Sequence, residues 1–308
     1  MASFLVTGGC GFIGSHLVDA LVGAGHRVRV LDDLSTGKRE NVPPGPEVIV
    51  GDVGNAADVD AAARGVDGIF HLAAVASVPK SNEDWRGTHR ANQTGSVNVF
   101  EAARRGNGGP VPVVYASSAA VYGDPESVPL EESAPVRPLT AYGADKLGSE
   151  LHGRVAMLVH KVPTTGFRFF NIYGPRQDPS SPYSGVISIF AKRVSQREPI
   201  DIFGDGQQVR DFVYVADVVR HLVAAMHRNA ERPEVFNVAT GHSTTVEALA
   251  RLLMKLSKSE VPLRFGPART GDIKLSVGNP ARASAALGVR AEVALEDGLA
   301  RLLASLRA

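Results

Sequence analysis

Through the first 170 residues, short runs of apolar and β-branched residues alternate with longer stretches whose apolar positions recur at helical spacing. The runs at 4–7, 27–31, 48–50, 68–72, 113–116 and 165–170 read as strands, and most of the gaps between them as helices. Such alternation implies parallel strands with right-handed helical crossovers, an α/β doubly wound sheet. Beyond Asn171 the rhythm changes. Pro175, Pro179, Pro182 and Gly185 break the chain, and helical patterns return at 216–228, 245–256, 280–287 and 295–306. This part reads as a smaller mixed α/β lobe over the carboxyl ends of the strands, where open α/β sheets bind ligands. The expected division is 1–170 and mainly 171–308, with a segment near 207–240 able to return to the first lobe.

The first strand runs into Thr7-Gly8-Gly9-Cys10-Gly11-Phe12-Ile13-Gly14 and then into an amphipathic helical run. Three glycines three apart, between a strand and a helix, form a dinucleotide-binding loop of Rossmann type. Gly8 permits the tight turn, Gly11 lets backbone approach a pyrophosphate, and Gly14 lets the helix pack against the sheet. Phe12 and Ile13 lie where the helix begins, with unpaired N–H groups facing the phosphates. Asp32 follows eighteen residues after Gly14, at the end of the second strand, where a carboxylate meets the adenosine ribose. It repels a 2′-phosphate and so favours NAD over NADP, although Lys38 and Arg39 nearby soften that exclusion. The plainer reading is that Asp32 or Asp33 merely opens the loop 34–37.

Composition narrows the remaining classes. The 308 residues are 44% hydrophobic and 21% charged with a net charge of +1, which describes an ordinary soluble globular protein and gives no basic excess for nucleic acid. No apolar stretch is long enough to span a bilayer, and glycines interrupt the apolar residues near the N-terminus, so neither membrane insertion nor a signal peptide is expected. The single cysteine, Cys10, cannot form an intrachain disulfide, which suits a reducing cytoplasm.

Tyr142 and Lys146 stand four apart in a predicted helix at 141–158, so both side chains share one face. A free phenol titrates near pH ~10, and a neighbouring cation lowers that value, so Lys146 is expected to tune Tyr142 as a base. Upstream, the strand at 113–116 runs into Ser117-Ser118, leaving a hydroxyl at the carboxyl end of a central strand. Each signal alone is common: Tyr/Lys pairs decorate helix surfaces, and serines at strand ends are usually caps or turn residues.

Further motifs follow in order: Gly51-Asp52-Val53, His71-Leu72-Ala73-Ala74, Asn92 before Gly95, Asn171-Ile172-Tyr173-Gly174-Pro175-Arg176, Val209-Arg210-Asp211-Phe212-Val213 and Arg269-Thr270-Gly271-Asp272. Together with the glycine loop and the Tyr/Lys pair, they make nearly the whole chain resemble the extended short-chain dehydrogenase/reductase family, in its nucleotide-sugar epimerase/dehydratase branch. The resemblance implies that Ser118, Tyr142 and Lys146 form the catalytic set. Ser118 would hydrogen-bond a sugar C4 hydroxyl, and Tyr142 would take its proton while hydride leaves for bound NAD. It places Asp52 and Val53 at the adenine, with Leu72, Ala73, Ala74 and Asn92 also in the cofactor site. A UDP-sugar brings two phosphates, for which it offers Arg210 and Arg269, with Asn171 and Gln208 as neutral partners and Asp272 near the nucleotide ribose. Gly185 and Val186 belong to the substrate side, and Phe203 either lies against uracil or serves the core.

Members of this branch share the first oxidation and differ in the step after it. Dehydrating and decarboxylating members carry an acidic side chain just after the hydroxyl residue, where this chain has Ala119 and Ala120. The resemblance therefore implies epimerisation at C4 of a UDP-hexose, with UDP-glucose/UDP-galactose favoured. Asp178 disfavours a uronate carboxylate, while Lys192 or Arg193 could still partner one, which keeps UDP-glucuronate as the alternative. A non-catalytic NAD-binding regulator would have no need of the intact Ser118, Tyr142 and Lys146, and a reductase of free small molecules no use for Arg210 and Arg269. The branch also implies a homodimer built on helices around 84–105 and 141–158.

Overall fold

The computed structural model describes residues 1–106, 108–178, 185–228, 230–268 and 273–306. Six strands appear where the pattern placed them: β1 (Ser3–Thr7), β2 (Arg27–Asp32), β3 (Glu47–Val50), β4 (Gly68–His71), β5 (Val113–Ser118) and β6 (Thr164–Phe169). With Glu234–Val238 they form a seven-stranded sheet, in the order Glu234–Val238, β6, β5, β4, β1, β2, β3. Every pairing in it is parallel. Helices cover both faces, so central strands such as Phe4-Leu5-Val6 read as continuous apolar runs rather than alternating ones.

Register decides what emerges at the carboxyl edge. Thr7 pairs with Leu31 on one side and His71 on the other, so β1, β2 and β4 end together. The expected end of β5 at 116 is two residues short. Ser117 and Ser118 stay in the ladder opposite Arg168 and Phe169, because β6 continues beside them. The helix Ala141–His160 also outruns its expected end by two residues. It starts at Thr140, whose hydroxyl accepts the Gly143 N–H at 3.0 Å, and ends at Lys161 in a left-handed conformation.

The chain returns to the large sheet late. Glu234–Val238 pairs with β6, and Val215–His227 packs against the first helix, α1 (Phe12–Gly23). A core of Leu17, Val30, Phe70, Phe167, Leu222 and Phe236 joins these parts. A second core, including Ile187, Phe190, Leu249, Leu253 and Leu299, lies among the helices Val186–Ser195, Val246–Ser257 and Leu295–Ser305. Around it sit small sheets, such as the parallel pair Ile200–Phe203 with Leu263–Gly266, giving a smaller mixed α/β lobe. Fully buried Asp211 stitches this region to the turn that follows Glu234–Val238. It accepts the Thr240 hydroxyl at 2.6 Å and the N–H groups of Thr240 and Gly241, each at 2.9 Å. Among the described residues, no helix is long and apolar enough to cross a membrane.

Candidate active site

A cleft of about 300 Å³ runs along the carboxyl ends of the strands. Its floor is the glycine turn. Gly8 has φ +71°, and a Cβ there would lie 2.7 Å from the backbone N of Ala73. A Cβ on Gly14 would lie 2.1 Å from the Gly8 carbonyl oxygen, so Gly14 is needed for contact with its own turn as well as for helix packing. Gly11 caps α1 without a side-chain acceptor, leaving the first-turn amides at Phe12 and Ile13 to face an anion. At the far side Asp32 accepts the Cys10 N–H and the Leu34 N–H, each at 2.9 Å. Burial pushes its carboxyl up, and those two N–H groups act against the rise. This cradle fits a dinucleotide: donors and a helix N-terminus for the diphosphate, then a held carboxylate for a ribose.

Asp52, Val53, Leu72, Ala73 and Ala74 line the same cleft. Asp52 is held by Arg90 at 2.7 Å and accepts the Gly54 N–H at 2.7 Å. Asn92 does not line it. Its Oδ1 accepts the Val75 N–H at 2.8 Å and its Nδ2 donates to the Val75 carbonyl at 3.1 Å, so it props the wall from behind. It sits in a widened π turn, Arg90–Thr94, and Gly95 just after it leaves room for the Val53 side chain.

At the other end of the cleft stand Tyr142 and Lys146. The Ser118 side chain acts on the Tyr142 phenol, favouring its charged form, and the Ser118 hydroxyl accepts the Ala120 N–H at 3.1 Å. The Lys146 ammonium donates to the Ala116 carbonyl at 2.9 Å and lies 5.9 Å from the centre of the Tyr142 ring. The expectation that Lys146 lowers Tyr142 is corrected here. Burial pushes the phenol up, and the opposing influence is the Ser118 side chain. The lysine, pinned to a carbonyl, is itself pushed down to about 8 by burial, with Asp145 opposing. Behind it His71 is driven down to about 3, by burial first and then by Lys146. It bridges Thr7 at 2.8 Å and Ser96 at 3.1 Å as a neutral ring.

The substrate-side residues lie outside this cleft. Asn171 opens a short strand, its N–H donating to the Asp211 carbonyl at 3.0 Å. Gly185 precedes the helix that Val186 begins, and its carbonyl accepts the Ser188 N–H at 3.0 Å. In Ile200–Phe203 the two isoleucines are buried, whereas Phe203 is 39% exposed, so strand alternation takes Phe203 out of the core. Gln208 Nε2 donates to the Phe203 carbonyl at 2.8 Å, and Arg210 lies between Thr244 and Ser276 in a small sheet. Arg269, Asp272, Tyr183 and Ser184 lie outside the described residues.

Residues 4–239 match the NAD dependent epimerase/dehydratase family. This chain belongs to that family. It is 37% identical to the UDP-glucose 4-epimerase of Mycolicibacterium smegmatis over 304 residues, 96% of each chain. The structure resembles UDP-glucose 4-epimerase of Thermotoga maritima with UDP-glucose, at TM-score 0.94 and 35% identity, covering 99% of this chain and 98% of that one. It also resembles UDP-glucose 4-epimerase of Thermus thermophilus in complex with NAD, at TM-score 0.91 and 35% identity, with 99% of each chain covered.

In this epimerase/dehydratase family member, sequence reasoning passed over several cleft residues. Ser35, Thr36 and Gly37 line the Asp32 end, where a Cβ on Gly37 would lie 2.8 Å from an Asp32 oxygen. Ser117 and Phe169 line the other end, and only the strand extension past 116 could have signalled them. Burial of Lys146 also has a thermodynamic signature. Its value falls from the ordinary 10.5 to about 8 on folding, so between these limits the unfolded chain holds more protons. Stability of the wild type relative to Lys146→Met is therefore expected to rise with pH from about 8 to 10.5. Urea unfolding across that range checks this, and a flat difference contradicts the assigned burial.

Proposed function

We propose that this chain is an isomerase that epimerises C4 of a UDP-hexose, UDP-glucose/UDP-galactose, by transient oxidation to a 4-keto sugar. One observation carries the reading: Tyr142 and Lys146 line one end of a dinucleotide cleft beside β5, which ends at Ser118, and the two residues after Ser118 are alanines. Ser118 orients the C4 hydroxyl, and Tyr142 takes its proton. Bound NAD would supply the hydride acceptor for C4 and the hydride for the return. Between those events the keto sugar rotates to present its other face, and Tyr142 gives the proton back. Lys146, pinned to the Ala116 carbonyl, holds the nicotinamide ribose. With Ala119 and Ala120 no acid stands ready to eliminate water, so the keto sugar is reduced rather than dehydrated.

Asp32 serves the adenosine ribose, Asp52 and Val53 the adenine, and the glycine turn the diphosphate of NAD. In the sugar nucleotide, Arg210 and Arg269 take the diphosphate, Asn171 and Gln208 add neutral hydrogen bonds, Asp272 meets the ribose and exposed Phe203 stacks on uracil. Gly185 and Val186 border the sugar. Residues 1–170 with the returning stretch near 207–240 form the NAD lobe, and most of 171–308 forms the sugar-nucleotide lobe. The names of the relatives support the neutral hexose. A reducing cytoplasm suits the buried Cys10.

A homodimer completes the reading. Leu151, Val155, Leu158 and Val159 face outward on Ala141–His160, with Leu151 at 59% and Val159 at 64% exposure. Their helical spacing makes an apolar stripe, and the packed neighbour Gly95–Arg104 adds Val97. A second copy of the same helix pair would cover it as a four-helix bundle.

Three outcomes are expected. Incubation with UDP-glucose, UDP-glucuronate and UDP-N-acetylglucosamine separately, read by NMR, yields the C4 epimer of UDP-glucose without net NADH; conversion of none defeats the proposal. Tyr142→Phe keeps nucleotide binding by calorimetry and loses about 10²-fold or more in kcat; unchanged turnover removes Tyr142 from the base role. Val155→Asp with Leu158→Asp turns a dimer into a monomer by light scattering, whereas a monomeric wild type refutes the bundle.

A further inference from the structure

The helix Ala141–His160 grips the end of β5 at three successive turns of one face. The Tyr142 phenol feels the Ser118 side chain, Lys146 donates to the Ala116 carbonyl at 2.9 Å, and one turn further Glu150 accepts the Ser117 hydroxyl at 2.5 Å. Below this third contact, Gly153 has no Cβ, and one placed there would lie 2.8 Å from the Tyr115 hydroxyl. Residues 142, 146, 150 and 153 therefore seat the helix along residues 115–118 of β5.

Glu150 is itself held. Arg168 of β6 donates Nε to Oε1 at 2.9 Å and Nη2 to Oε2 at 2.7 Å, with both side chains buried. The guanidinium also donates to the Glu132 carbonyl at 3.1 Å and stacks 4.8 Å above the Tyr122 ring. Tyr122 in turn donates its hydroxyl to Asn237 at 2.7 Å, tying in the last strand of the sheet. A buried ion pair is poor evidence for stability, because apolar residues of similar volume would often stabilise as well. Apolar residues cannot present an oriented acceptor to Ser117. Ser117 sits opposite Arg168 in the β5–β6 register and directly precedes Ser118, so its anchorage sets where Ser118 emerges relative to the helix carrying Tyr142.

We propose that Glu150, fixed by Arg168 and acting through Ser117, is a positioning residue that sets the placement of Ser118 against Tyr142. The proposal deepens the epimerase reading and rests on it for the meaning of kcat, but the influence of Ser118 on the Tyr142 phenol can be read without any sugar. Glu150→Gln leaves Arg168 buried without its charged partner and endangers folding, so the deciding variant is Ser117→Ala, which keeps the ion pair. Misplacement of a reacting group by a fraction of an ångström is costly, so kcat for C4 epimerisation should fall about tenfold while KM stays within about twofold. Ser117→Thr, which keeps a hydroxyl at a strand position, should restore kcat.

A second readout is the ultraviolet titration of the phenol, taken as the difference from Tyr142→Phe. Moving Ser118 away weakens an influence that favours the phenolate, so in Ser117→Ala the midpoint should move to higher pH by about half a unit. A merely structural serine would lower the melting temperature and move neither kcat of the folded enzyme nor this midpoint. An unmoved midpoint in a folded Ser117→Ala protein overturns the positioning role, whatever sugar the enzyme takes. A shifted midpoint in a wild type that turns over none of the three sugars supports the positioning role and defeats the epimerase reading alone.

Discussion

Close backbone approach at the glycine turn governs the rest of the molecule. Gly14 lets α1 begin against the Gly8 carbonyl, and Gly8 lets the turn press on the backbone of Ala73 just beyond β4. A single added Cβ at either place would collide with backbone, which cannot swing aside as a side chain can. Because both contacts are made, the N-terminus of α1 and the ends of β1, β2 and β4 open onto one cleft. The positive end of a helix and the Asp32 carboxylate then face the same cleft.

At the opposite end of the cleft, burial rather than charge sets the resting chemistry. Tyr142 is pushed up and Lys146 down, both toward their neutral forms. Neutral His71 behind them adds no competing cation, and it ties β1 and β4 to the helix bearing Ser96. Lys146 is held by its hydrogen bond to the Ala116 carbonyl of β5, so the register of that strand and the seating of one helix place it beside Tyr142.

The two lobes are joined by the path of the chain. It leaves the sheet after β6, builds part of the smaller lobe, and comes back as Glu234–Val238. Asp211 fixes this return by taking hydrogen bonds from Thr240 and Gly241. The segment carrying Gln208 and Arg210 thus rests on the same scaffold as the cofactor cleft.

The sequence by itself determined the strand–helix alternation, the glycine turn and the Tyr142–Lys146 face, because each is a local matter of period, backbone freedom or helical spacing. Most cofactor-side candidates meet in one cleft for that reason: parallel strands release their carboxyl ends on one edge. Tertiary structure decided the rest. Asn92 props Val75 instead of lining the cleft, β5 runs on to Ser118 because β6 lies beside it, and Lys146 directs a proton to the Ala116 carbonyl. Nor could spacing alone reveal that Glu150 would meet Ser117 and Arg168. Such contacts join residues far apart in the chain, and the desolvation that shifts their proton affinities exists only once the helix, both strands and the last strand of the sheet have packed together.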